Sequence, residues 1–122
     1  MSGACQRCLT YLPAVLVATG IAVLSLTEQA PQFLPLSVSD KLLHGLAYCI
    51  LAFTLVFAME FRRTSRSLHY LYAFLITIAY GAIIEILQDG CTATRTAEFA
   101  DFLADVIGAM IGVLIGLVFY RK

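Results

Sequence analysis

YGAIIEILQDGCTATRTAEFADFLADVIGAMIG, from Tyr80 to Gly112, joins two strongly apolar runs across a short hydrophilic loop. On or near that loop stand Glu85, Gln88, Asp89, Arg95, Glu98, Asp101 and Asp105. In a water-soluble protein this would be ordinary surface. The rest of the chain does not allow that reading.

Of 122 residues, 61% are hydrophobic and 13% charged, and the mean hydropathy is +0.88. Globular domains average about 45–50% apolar and about 25% charged, so the composition is that of an integral membrane protein. A helix needs about 20 mostly apolar residues to cross the hydrocarbon core. Four segments qualify, at about 9–27, 42–61, 68–87 and 99–120. They use nearly the whole chain and predict a single transmembrane domain over residues 1–122, an all-α four-helix bundle. The apolar residues run continuously rather than alternating, which argues against a β-barrel. No internal repeat, low-complexity tract or flexible linker interrupts the pattern.

Net charge is zero, yet its distribution is uneven. Arg7, Arg62, Arg63, Arg66, Arg121 and Lys122 lie at the two ends and in the 62–67 loop, whereas the other two loops carry Lys41 and Arg95. The positive-inside rule then predicts cytoplasmic termini and outward-facing loops at about 28–41 and 88–98. The outward end is acidic, with Glu28, Asp40, Glu85, Asp89, Glu98, Asp101 and Asp105.

Arg7 followed by an apolar run resembles a secretory signal, but no convincing small-residue cleavage site follows near Thr27–Ala30, so an uncleaved first helix is expected. Pro13 is tolerable near a helix start, where no backbone donor is needed. Ser37 and Asp40 form a capping-box pattern for the second helix, and Asp40, His44 and Tyr48 then share one face at four-residue spacing. In the third helix His69, Tyr70 and Tyr72 suit an aromatic belt at the membrane interface. Farther on, Gly81, Glu85 and Gln88 share a face. In the fourth, Glu98 and Asp101 suit the N-terminal dipole, and Asp105 lies one turn deeper. Gly108, Gly112 and Gly116 make a ridge for close helix packing, and Gly81 plays the same part in the third helix.

Together these positions predict a polar site at the outer ends of three helices: Asp40, His44, Glu85, Gln88, Arg95, Asp101 and Asp105. Ionisable residues inside a membrane are functional by default. The bland alternative is a set of caps and ion pairs, in which Arg95 holds Glu85 and Asp101 while His44 holds Asp105. One Arg, one Lys and one His do not balance seven carboxylates, however, so the surplus calls for protonated carboxyls, a bound cation or a cationic partner. No metal is expected from local spacing, which matches no standard motif such as H-E-x-x-H. Cys5 and Cys8 form a lone CxxC, which is weak ground for redox or metal work; Cys49 reads as packing, and Cys91 falls in the outer loop. Cys91 with His44 is the sole candidate pair for nucleophilic catalysis. The residues name neither a cofactor nor a catalysed reaction.

Asp40-Lys41-Leu42-Leu43-His44 with Tyr48, then Tyr80-Gly81 with Glu85 and Gln88, then Arg95, Asp101, Gly108 and Gly112 resemble the VanZ-like family of small integral membrane proteins. The resemblance runs from about Asp40 to Gly116. It departs where an Asn commonly stands three residues before the glycine matched to Gly108; this chain has Asp105. The resemblance implies a bacterial cytoplasmic-membrane protein and an association with low-level resistance to teicoplanin, a lipoglycopeptide.

Three readings are open at this point. The first is an outer-leaflet site that binds or modifies an envelope or lipid-linked molecule, or a lipoglycopeptide, with His44 or Glu85 as proton acceptor and Arg95 as anion clamp. The second is a proton- or ion-coupled transporter subunit using Glu85 and Asp105, against which the inner half offers no matching polar relay and so short a chain would have to oligomerise. The third is a structural partner of another membrane protein or of a second copy. The bilayer is a partner in all three, and nucleic acid in none.

Overall fold

A computed structural model of the protein describes residues 2–26, 38–60, 65–91 and 99–121, with residues 38–40 and 66 described by backbone alone. Among them are five helical elements, α1 (Gly3–Leu9), α2 (Leu12–Leu26), α3 (Val38–Glu60), α4 (Arg66–Cys91) and α5 (Phe99–Phe119). Four stretches are long and apolar enough to cross a membrane: Gly3–Leu26, Lys41–Glu60, Ser67–Cys91 and Phe99–Phe119. The all-helical, four-span architecture expected from composition is therefore present.

The boundaries differ from expectation in three places. The first span begins at Gly3 and is broken at Thr10–Tyr11. Pro13 gives the reason: it cannot donate to the Leu9 carbonyl, and its ring crowds that carbonyl. The Thr10 hydroxyl donates to Arg7 O at 2.7 Å and Tyr11 N to Cys8 O at 3.1 Å, satisfying carbonyls at the break. The helix of His44 starts earlier, at Val38. The third span continues to Cys91, so Gln88, Asp89 and Cys91 are helical rather than loop residues.

Contacts between side chains set the directions. Lys41 meets Asp101, His44 meets Asp105, and Val56 lies opposite Gly116, so α3 and α5 run parallel. Gln88 reaches Ser25 and Tyr80 reaches Ala18, so α2 and α4 are parallel to each other. Thr10 against Ala58 places α2 antiparallel to α3. The α3–α5 pair is the most extensive contact, with α4 packed on both and α2 on α3 and α4.

Polarity is inverted relative to a soluble protein. The exterior is made of side chains such as Leu16, Val23, Leu42, Ile86, Phe99 and Val118, whereas Ser25, His69, Thr77, Glu85, Gln88, Asp101 and Asp105 are buried. Lipid tails are as apolar as leucine, so burial of apolar area does not hold such helices together; close packing and hydrogen bonds do. The α5 glycines supply the packing. A Cβ on Gly108 would overlap the Gly45 carbonyl, one on Gly112 the Cys49 carbonyl, and one on Gly116 would lie 2.8 Å from Val56 Cγ1.

His69 corrects its expected place in an interfacial belt. It is 4% exposed, inside the bundle, because it shares a face of α4 with the fully buried Ala73 and Thr77.

Candidate functional site

Three helices deliver ionisable side chains to one depth. His44 is six residues into α3, Asp105 six residues into α5, and Glu85 six residues before the end of α4. At 1.5 Å per residue each lies about 9 Å from its helix end. Because α3 and α5 begin at the end where α4 finishes, the three meet.

His44 Nδ1 lies 3.2 Å from Asp105 Oδ1. Where Asp105 is ionised its carboxylate only accepts, and the His44 Nδ1–H is then the donor. The pair is enclosed, with 10% of the His44 side chain and 1% of the Asp105 side chain exposed. One turn nearer the helix ends, Lys41 Nζ faces Asp101 Oδ1 at 3.6 Å, in a far wetter setting on the lysine side. Glu85 is buried beside the inner pair, and one ring nitrogen of His44 and one oxygen each of Glu85 and Asp105 all lie within 4.8 Å of one another.

Beneath them Tyr48, one turn deeper than His44 on α3, is buried with its ring tilted against Tyr80 at 6.4 Å between centroids. Gly81 makes room here: a Cβ would stand 3.0 Å from Asp105 Oδ2 and 3.2 Å from Tyr48 Cε1. Asp105 Oδ2 and the Tyr48 hydroxyl are both buried with no hydrogen-bond partner among the described residues. Buried polar atoms of this kind are ordinarily satisfied, so the site has hydrogen-bonding or ligating capacity that the described residues do not use.

Of the residues predicted from sequence, His44, Glu85 and Asp105 converge, and Asp101 joins them through Lys41. Gln88 is buried on the same end but turns to α2, its Nε2 donating to Ser25 O at 2.9 Å. It acts as a tie between helices, as does Tyr80, whose hydroxyl donates to Ala18 O. Asp40 lies in the first turn of α3, on the face of His44 by register, and its side chain is outside the described residues, as are Arg95 and Glu98. Asp89, Cys5, Cys8 and Cys91 are exposed. Lys41 and Tyr48 were within reach of sequence reasoning, since both lie in the Asp40–Tyr48 block. The Ser25 and Ala18 carbonyls were not, because a backbone acceptor leaves no mark in the residue type.

A groove of about 390 Å³ runs along the outer surface of the α3–α5 pair, lined by Lys41, Leu42, Gly45, Leu46, Cys49, Ala104 and residues below them on α5. Its walls are almost wholly apolar, and Lys41 stands where it meets the polar end. The arrangement therefore places one cation, Lys41, at the polar end of an apolar groove, while the imidazole–carboxylate pair is enclosed between the helices.

The model of the family described as VanZ/LLP1 matches residues 9–120. No curated protein and no solved structure matches the chain.

Proposed function

The chain belongs to the VanZ/LLP1 family, and on that premise we propose that it binds an amphiphilic envelope molecule at the outer leaflet of a bacterial cytoplasmic membrane. The observation that carries this reading is the shared position of Lys41, which lines the apolar groove and pairs with Asp101. An amphiphile with its tail along Gly45, Leu46 and Ala104 would bring its head group to Lys41. Charge-assisted contact with Lys41 favours an anionic head. A lipid-linked cell-wall precursor and a lipoglycopeptide both have this chemistry, and tolerance of teicoplanin is the phenotype that such binding would supply. Outward placement follows from the basic residues of the 62–67 loop and the termini, which the positive-inside rule assigns to the cytoplasm.

The test is a tail-bearing photocrosslinker in nanodiscs, together with teicoplanin tolerance of cells expressing the protein. Ala104→Phe fills the groove and Lys41→Ala removes the head-group cation; each should abolish crosslinking into α3 and α5 while protein level is retained. Undiminished crosslinking in both variants would sink the reading.

A second reading, proton or ion movement through the bundle, gains support from α4. Its buried face carries His69, Thr77, Glu85 and Gln88 along almost its whole length, so the inner half is not without polar groups. Both ring nitrogens of His69 are buried with no hydrogen-bond partner among the described residues. Proteoliposomes that hold an imposed pH gradient as long as protein-free ones would remove this reading.

A further inference from the structure

We propose that His44, Glu85 and Asp105 form a binding site for one divalent transition-metal ion, of the zinc or manganese class. One imidazole nitrogen and two carboxylate oxygens, each from a different helix, already stand within 4.8 Å of one another. Ligands of a tetrahedral zinc ion, at about 2.1 Å from the metal, are about 3.4 Å apart. Closure of the set therefore needs rotamer adjustment rather than helix movement, and His44 Nδ1 and Asp105 Oδ1 are at 3.2 Å without any.

A cluster of acids alone would not carry this assignment. The independent observation is the pair of unused oxygens beside the cluster. Asp105 Oδ2, on a side chain only 1% exposed, and the Tyr48 hydroxyl have no hydrogen-bond partner among the described residues. Gly81 permits this approach: a Cβ there would stand 3.0 Å from Asp105 Oδ2 and 3.2 Å from Tyr48 Cε1.

A dication balances the charge of two ionised carboxylates, and its binding displaces any proton from the His44 nitrogen that ligates it. Three protein ligands leave a fourth position open, as in zinc sites that bind water or a substrate oxygen. Imidazole with carboxylates favours zinc, iron or manganese over the all-oxygen sites of calcium and magnesium. Local spacing could not reveal such a set, because its members are 41 and 20 positions apart in the chain. The assignment does not depend on the lipid reading: the probe is the metal itself, and the groove variant Ala104→Phe should take up metal like the parent.

The full chain, purified in detergent and stripped with chelator, is titrated with Zn²⁺ and separately with Co²⁺. One equivalent of zinc per chain is expected to remain through gel filtration, and bound cobalt should show visible absorption bands of a low-symmetry nitrogen–oxygen site. Loss of a mere outer-shell partner weakens metal sites by about 10–100-fold, so Glu85→Gln and Asp105→Asn should each weaken zinc at least that much. Asp89→Asn, an exposed carboxylate on the same helix, should not. Absence of stoichiometric zinc, or equal weakening by Asp89→Asn, overturns the proposal. If the buried-site variants do not fold, the cobalt spectrum of the parent decides: bands characteristic of the hexaaqua ion alone overturn it as well.

Discussion

The α3–α5 interface is built from two different materials along one continuous contact. From Gly45 onward glycine backbone meets its neighbour directly, with Gly108 on the Gly45 carbonyl, Gly112 on the Cys49 carbonyl and Gly116 on the Val56 side chain. At its other end it is charge against charge, with Lys41 on Asp101 and His44 on Asp105. The glycine part is fully committed, since no atom there could be larger. The charged part is less closed: Glu85 lies beside the His44–Asp105 pair, and Asp105 Oδ2 and the Tyr48 hydroxyl are buried without a hydrogen-bond partner among the described residues. Membrane helices can be held by packing alone, so the two ends of one interface rest on different interactions.

The sharpest way to break this comparison is at the glycines. Gly108→Val should prevent accumulation of folded protein, because overpacking a tight contact costs up to about 3 kcal/mol even where side chains can yield, and here the obstacle is backbone. Near-normal thermal stability in detergent would refute it. Gln88→Leu removes the hydrogen bond to Ser25 O and should cost about 0.6–1.7 kcal/mol, read as a lower melting temperature with teicoplanin tolerance retained. Asp105→Asn keeps an acceptor for His44 and should be milder still in stability, yet should abolish tolerance; loss of protein and tolerance together would make this end architectural. Asp101→Asn loses the more exposed pair and should cost less than about 1 kcal/mol. Smallest of all is Gly20→Ala: a Cβ there meets nothing within 4 Å, so it should be neutral or stabilise by up to about 1 kcal/mol through helix propensity.

Much of this was legible from residue order. The spacing of Gly108, Gly112 and Gly116 marked a packing ridge, and the four-residue register from Asp40 to Tyr48 marked an inward face. The pairing of His44 with Asp105 belonged to the alternative of caps and ion pairs, and that contact is present. His69 was misplaced: an imidazole flanked by two tyrosines looks the same in a lipid interface and in a core, and Ala73 and Thr77 turn its face inward. The partner of Asp101 was expected to be Arg95; Lys41 meets it, while Arg95 is outside the described residues. The break at Thr10–Tyr11 followed from Pro13, but only once the helix was seen to begin before it.

By itself, the amino-acid order determined that this chain makes four apolar spans, much of their inward register, and at which end the carboxylates collect. Those are consequences of hydrophobic length and of the helical period, which are local. Tertiary structure decided which of the collected groups touch. Parallel packing of α3 on α5 brings His44 to Asp105, and the return of α4 adds Glu85 and sets Gly81 close against Asp105 and Tyr48. No rule of spacing within one helix can express a meeting among three, because it depends on how closely glycines let their backbones approach.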